Sequence, residues 1–189
     1  MKIAPSADLL LHRLLKDLRP GLAKEGFLRK SQNFVIETPE CWGIINFQKS
    51  LYCSANEKKF TVNLAIAAKR ILRFNDESED KPPRYYASHW QNRIGHLIHR
   101  ESDRWWTLTD EASYEEVFAE AEQLIAGKAV SLIKSHLSEA DLLALWDVNV
   151  GGFEYPTLKC KSILLAERGE LGALPEFSNA YEKSVTEAC

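Results

Sequence analysis

The fold is decided by Cys41 to Ser54, C-W-G-I-I-N-F-Q-K-S-L-Y-C-S, together with Lys59 to Ala68, K-F-T-V-N-L-A-I-A-A. Successive side chains of a strand point to opposite faces, so this alternation of apolar and polar residues predicts two strands. The polar run Ala55 to Lys58 predicts a hairpin tip, which pairs Ser54 with Lys59. We therefore predict that Cys41 to Ser54 is the central strand of an antiparallel sheet.

This pairing gives the predicted sheet one apolar face and one polar face. The apolar row contains Ile45, Phe47, Leu51, Cys53, Phe60, Val62, Leu64 and Ile66. The polar row contains Trp42, Asn46, Gln48, Ser50, Tyr52, Thr61 and Asn63. A slip of one residue would bury the amides of Asn46 and Gln48 without partners, at about 1 to 3 kcal/mol each, so the pattern selects this pairing. Lys49 is an exception, because it falls on the apolar side.

The segments before the hairpin predict a helix and a third strand. Leucines recur at helical spacing, which favours a helix that covers the apolar face with Leu11, Leu14, Leu15, Leu18 and Leu22. Gly26 is expected to take a left-handed conformation and to turn the chain into the sheet. Phe27 to Thr38 then follows as a strand, in which Thr38 pairs with Cys41 and Asn33 with Asn46.

Two further strands and several helices are predicted after the hairpin. Lys69 to Trp90 is expected to form a surface loop, and Arg93 to His99 with Arg104 to Thr109 a second hairpin. Ser113 and Glu116 match a capping box, Gly127 is expected to break that helix, and Ser138 with Asp141 opens another helix. The helices after it are predicted over residues 158–166 and 176–187.

The predicted fold class is therefore α+β. It has an antiparallel sheet of about five strands, an N-terminal helix on one face and a helical C-terminal region. We predict a sheet domain over residues 1–137 and a helical extension over residues 138–189 that packs on it.

Composition excludes several function classes. The chain has 189 residues, a net charge of -3 and a pI near 6.0, so it lacks the general basic field that a nucleic acid would require. Its four cysteines show no C-x-x-C spacing, which favours reduced thiols in a cytoplasmic protein. Neither a signal peptide nor an apolar run long enough to cross a bilayer is present, so we expect a soluble protein without a membrane partner.

Six short blocks follow one another along the chain: G-F-L-R-K at residues 26–30, F-V-I-E at 34–37, I-N-F-Q-K-S at 45–50, F-T-V-N-L at 60–64, R-I-G at 93–95 and W-W at 105–106. In this order they resemble a bacterial family known as domain of unknown function 4304, over about residues 9–135. The resemblance implies an α+β domain and brings no activity with it.

Candidate ligand-binding residues lie on the predicted polar face. Asparagine is depleted in strands, so a cluster of amides there is a candidate binding surface; its members are Asn33, Asn46, Gln48 and Asn63. The alternative is the ordinary polar, solvent-facing side of an antiparallel sheet. Arg93 and Trp105 are a second pair, since a guanidinium beside an aromatic ring can hold an anion while the ring stacks on a ligand.

The sequence nominates no catalytic residue, metal site or cofactor. His96 and His99 are three residues apart on a predicted strand, so they would point to opposite faces and could not share an ion. We expect a non-enzymatic module that binds a protein or a small polar ligand, of which one version is an immunity-type neutraliser. The alternative is a hydrolytic enzyme that uses Glu37, His96 or Arg93 on the same face. The sequence leaves the oligomeric state open.

Overall fold

The computed structural model describes residues 7–54, 56–98, 103–148, 154–170 and 172. Six strands form one antiparallel sheet in the order β1-β2-β3-β4-β5, with β6 paired to β4 as well. They are β1 (Leu28–Lys30), β2 (Asn33–Glu37), β3 (Cys41–Lys49), β4 (Lys58–Ala68), β5 (Trp90–Arg93) and β6 (Trp106–Leu108).

Helices precede the sheet, interrupt it and follow it, so the α+β prediction is confirmed. They are α1 (Ala7–Asp17), α2 (Arg19–Lys24), α3 (Lys69–Phe74), α4 (Ile94–Ile98), α5 (Glu111–Leu124), α6 (Val130–Lys134), α7 (Glu139–Asp147) and α8 (Glu154–Glu167). A π-helical segment, Ile125–Ala129, joins α5 to α6, and a 3-10 turn spans Tyr85–Ala87.

The chain forms two compact units, each built from three segments. Unit 1 contains residues 1–36, 44–64 and 93–134, and unit 2 contains residues 37–43, 65–92 and 135–189. The boundary that we predict at residue 137 stays a prediction.

The core of unit 1 combines the leucine stripe of α1 with a series of aromatic rings. The predicted leucines of α1 and α2 are all buried, and α1 contacts α5 and β6. Phe47 lies 5.9 Å from Phe34 and 6.0 Å from Phe60 between ring centroids, and Phe60 stacks on Trp106 at 5.3 Å. Of these rings, Phe47 and Phe60 belong to the predicted apolar row.

Unit 2 contains a buried apolar cluster with polar contacts beside it. Trp42, Ala67 and Leu72 form a buried cluster, and the Trp42 indole N–H donates to the Glu79 carbonyl at 2.9 Å. The buried carboxylate of Glu139 accepts from Arg70 Nε at 2.9 Å. Trp42 is therefore core, although it has the strand parity of the polar row.

The predicted strand from Phe27 to Thr38 is two strands in the structure. Gly26 has φ +91, in the left-handed region as expected, and a Cβ there would lie 3.4 Å from Ile36 Cδ1. Lys30 then pairs with Asn33 across a tight turn in which Ser31 has φ 58. This turn adds one strand to the five that we expected.

The central hairpin keeps its predicted faces but shifts its register by four residues. The Ser50 N–H donates to the Lys59 carbonyl at 2.8 Å, where we expected Ser54 to face Lys59. An even shift leaves every strand residue on its predicted face. It also ends β3 at Lys49, so the placement of Leu51 and Cys53 in the apolar row is wrong: Leu51 is 96% exposed in the connecting loop.

The start of the hairpin and the misfit lysine are explained by local contacts. The Thr38 N–H donates to the Cys41 carbonyl at 2.9 Å, as predicted. Lys49 Nζ lies 3.5 Å from an Asp8 carboxylate oxygen in the first turn of α1, so its charge has a partner at the edge of the apolar face.

The predicted second hairpin is wrong. Only Trp90–Arg93 forms a strand, after which residues 94–98 form α4. β6 exists but pairs with the first residues of β4, with Trp106 opposite Phe60. The expected loop also begins with a helix, α3, although most of residues 75–89 is irregular.

The helix signals downstream were partly right. Asp110 and Ser113 form the capping box of α5, three residues before the predicted pair. The Ser138 side chain accepts from the Asp141 N–H, as expected. The helix predicted at residues 158–166 lies within α8, and the one at residues 176–187 falls outside the described residues.

Candidate functional site

Four side-chain amides form a hydrogen-bonded row across β2, β3 and β4. Asn46 Nδ2 donates to Asn33 Oδ1 at 2.6 Å, and Asn63 Nδ2 donates to Asn46 Oδ1 at 3.0 Å and to Gln48 Oε1 at 2.9 Å. We call these four residues the amide row. The sequence predicted that they share a face, and the bonds bring them into contact.

Burial differs along the row. Asn63 is 3% exposed, whereas Asn33, Asn46 and Gln48 are half-buried. An amide buried without partners would cost about 1 to 3 kcal/mol, and the two bonds from Asn63 Nδ2 offset that cost. The row is thus anchored in the interior at Asn63 and reaches the surface at its ends.

The end of the row at Asn33 keeps unused hydrogen-bonding capacity. Asn33 accepts from Asn46 through Oδ1, while its Nδ2 group donates to no residue in the described part of the chain. A side-chain amide can both donate and accept, so this end can bind a carbonyl oxygen without a charge.

Trp105 lies on the same face by register. In the pairing of β6 with β4, Trp106 lies opposite Phe60 and Thr107 opposite Lys59. The same register, extended by one residue, places Trp105 opposite Thr61. The Thr61 hydroxyl donates to the Arg104 carbonyl at 2.7 Å and fixes this approach. Thr61 and Asn63 are two residues apart on β4, so their side chains point the same way. Trp105 therefore borders the face that carries the amide row.

Arg93 joins Trp105 through a residue that sequence reasoning missed. Asp103 Oδ2 accepts from both the Arg93 guanidinium and the Trp105 indole N–H, the latter at 2.8 Å. Arg93 Cζ lies 5.6 Å from the centroid of the Trp105 ring. Asp103 lies between the two segments of the predicted second hairpin, where the sequence shows no motif that points to a functional residue.

The two neighbouring tryptophans, Trp105 and Trp106, differ in burial. Trp106 is 2% exposed, stacks on Phe60 and donates its indole N–H to Glu120 at 3.0 Å. Trp105 is half-buried. Trp106 therefore belongs to the core, whereas Trp105 keeps exposed surface that a ligand could contact.

The polar groups around Trp105 include a carboxylate oxygen with no partner. Asp103 Oδ1 is buried and accepts no hydrogen bond in the described part of the chain. Buried polar atoms in folded proteins are nearly always bonded, so a buried acceptor of this kind suits a bound water. The face thus offers a donor at Asn33 and a ring at Trp105.

The remaining candidates give no reactive centre. His96 lies in α4 rather than on a strand, and His99 falls outside the described residues, so our geometric argument about that pair does not apply. Among the described residues, no three His, Cys, Asp or Glu side chains are grouped to hold a metal. Burial raises the pKa of Cys41 to about 12, which makes it a poor nucleophile.

We expect Asn63→Ala to lower the free energy of unfolding by about 1 to 3 kcal/mol, because Asn46 and Gln48 would each lose a donor. Urea unfolding followed by circular dichroism measures this change. The matched variant Asn56→Ala removes an exposed amide in the connecting loop and should change stability by less than about 0.5 kcal/mol. Equal effects of the two substitutions would contradict a structural role for the row.

Comparison with known proteins identifies a family for the chain. The family model described as domain of unknown function (DUF4304) matches residues 18–135, which include the amide row, Arg93 and Trp105. No match is found among curated proteins or among solved structures. In the described part of the chain, no helix combines the length and apolarity needed to cross a membrane.

Proposed function

The chain belongs to the family described as domain of unknown function (DUF4304), which names no activity, and we propose that it is a non-enzymatic binding module acting through its polar sheet face. One observation carries the proposal. The amide row is continuous through hydrogen bonds, and Trp105, held with Arg93 by Asp103, borders the same face. The ligand is a protein segment or a small polar molecule.

The chemistry of this face suits a neutral polar ligand. The charges of Arg93 and Asp103 offset each other, and the amides carry none. A peptide backbone offers carbonyl groups to which the Asn33 amide can donate, while a planar group can stack on Trp105. Such a ligand would be recognised by hydrogen bonds and ring contact rather than by charge.

One version of this proposal is an immunity-type neutraliser of another protein. It rests on analogy with small acidic single-domain proteins, and the net charge of -3 is compatible with it. We place the protein in the cytoplasm, because Cys41, Cys53 and Cys160 are free thiols.

A hydrolytic enzyme has less support. General acid or base catalysis needs a side chain that can exchange a proton with the substrate. Glu37 pairs with Lys69 Nζ at 2.5 Å, and Arg93 pairs with Asp103, so two of the nominated groups already hold ionic partners.

Nucleic-acid binding also has less support. It needs basic side chains that together present positive charge to a phosphate backbone, whereas Lys49 and Arg93 are each paired to a carboxylate.

The double variant Asn33→Ala, Trp105→Ala tests the proposal while leaving the buried Asn63 in place. With the full chain as bait in an extract of its native host, we expect wild type to retain a partner that the variant binds at least about tenfold more weakly. Titration with blocked neutral tripeptides, followed by NMR of the side-chain amide signals, tests the small-ligand form.

The matched control is Gln123→Ala, which removes an exposed amide of α5. It should leave partner and peptide binding unchanged. The proposal fails if the double variant, shown to be folded by circular dichroism, retains every interaction of wild type.

A further inference from the structure

Unit 1 contains an open cavity of about 300 Å³ that the proposed function does not use. Its walls come from α1, from the turn between β1 and β2, and from the end of β3. Lys49, in its wall, and Gln48, in the amide row, are neighbours on β3 and so point to opposite faces of the sheet. The cavity and the amide row are therefore separate surfaces.

Positive charge exceeds negative charge around this cavity. Lys49 and Lys58 share the Asp8 carboxylate, at 3.5 and 3.0 Å. Arg29 also lines the cavity and has no carboxylate partner in the described part of the chain. The cavity lining thus contains two permanent cations, Arg29 and Lys49, and one carboxylate, Asp8, so an anion in the cavity would be electrostatically favoured.

Arg29 is positioned to bind an oxyanion. Its Nε donates to the Ser31 carbonyl at 3.2 Å, across the turn in which Ser31 has φ 58. This bond orients the guanidinium, which lies at the surface, and its two terminal nitrogens make no bond to any described residue. A guanidinium with free terminal N–H groups matches the two oxygens of a carboxylate or phosphate.

Another side of the cavity is apolar. Leu11 and Leu15 of α1 contribute to its lining, although each is almost wholly buried against the core. Leu11 and Leu15 keep 2% and 4% of their surface exposed; a bare ion would leave this small apolar area in contact with water, whereas an organic group would cover it.

We propose that this cavity binds a small organic anion, with Arg29 and Lys49 holding its carboxylate or phosphate and Leu11 and Leu15 contacting its apolar part. The proposal is independent of the polar sheet face. It also differs from nucleic-acid binding, since it needs one oxyanion and an apolar group in place of a phosphate backbone.

Calorimetric titration of the full chain tests it with four probes at constant ionic strength: phenyl phosphate, benzoate, inorganic phosphate and acetate. We expect at least one aromatic probe to bind about threefold or more tightly than the bare anion with the same head group, because its ring leaves water and covers the small exposed area of Leu11 and Leu15. The tighter aromatic probe identifies the preferred head group. Equal affinity of each aromatic probe and its bare counterpart, or no saturable binding of any probe, overturns the proposal.

Arg29→Gln should weaken binding of that probe about ten- to a hundredfold, since charge-assisted hydrogen bonds are lost. Arg19→Gln removes an exposed arginine of α2 and is the matched control, which should bind as wild type does. If Arg29→Gln fails to fold, Lys49→Gln takes its place. In wild type, the probe must also shift the backbone NMR signals of Ser31 and Gln32, and unchanged signals there would overturn the assignment.

Discussion

Phe60→Ala should lower the free energy of unfolding by about 3 to 5 kcal/mol, the largest single effect that we expect in unit 1. Phe60 is fully buried between Phe47 and Trp106, with centroids 6.0 and 5.3 Å away. Truncation removes the ring and leaves a cavity that two rigid aromatic neighbours cannot close. Urea unfolding followed by far-ultraviolet circular dichroism measures the loss.

Leu51→Ala is the control, and it discriminates between two registers of the hairpin. Leu51 is 96% exposed, so its truncation should change stability by less than about 0.5 kcal/mol. In the register that the sequence predicts, Leu51 would lie opposite Val62 in the apolar row and its loss would be costly. A destabilisation above about 2 kcal/mol would therefore support that register over the observed one.

His89 should make the protein less stable as the pH falls from about 6.5 to 4. Its Nδ1 accepts from the Ala68 N–H at 2.9 Å, a bond that the protonated ring could not form. Burial lowers its pKa from 6.5 to about 4. Between these values the unfolded chain binds a proton that the folded chain does not, so the free energy of unfolding decreases as pH falls, by about 3 kcal/mol in total.

His89→Asn isolates this contribution from other titrating groups. The asparagine Oδ1 can still accept from the Ala68 N–H, but the side chain does not titrate. Urea unfolding at pH 7, 6, 5 and 4 should show a steeper loss of stability for wild type than for the variant. Parallel pH profiles for the two proteins would refute the assignment.

The hairpin shows what alternation in a sequence can and cannot determine. It identified the faces of Phe47, Asn46 and Asn63 correctly, because face depends only on whether a residue number is odd or even within the strand. It could not fix the register, since shifts by two or four residues give the same faces. The loop length decided it, and Leu51 moved from the apolar row to solvent as a result.

Short elements were less predictable than long ones. Ile94 to Ile98 contains apolar and polar residues that satisfy either a strand or a single helical turn, so periodicity could not separate the two.

The candidate site was likewise only partly predictable from the sequence. The amide row follows from strand parity, whereas Asp103 joins Arg93 and Trp105 through a contact that depends on how β6 approaches β4.

The π-helical segment between α5 and α6 keeps the buried residues of these helices on one face, although their spacing of four residues is longer than one α-helical turn. Val117, Ala121, Ile125, Ala129 and Ile133 are all buried and recur every four residues. On a regular α-helix each step of four residues turns about 40° past a full rotation, so the four steps from Val117 to Ile133 would carry the later side chains away from the core. A turn with i to i+5 hydrogen bonds holds more residues and reverses this drift. Gly127, which we expected to break the helix, has open space around its Cβ position. The number of residues in this segment, rather than the glycine itself, therefore keeps α6 facing the core.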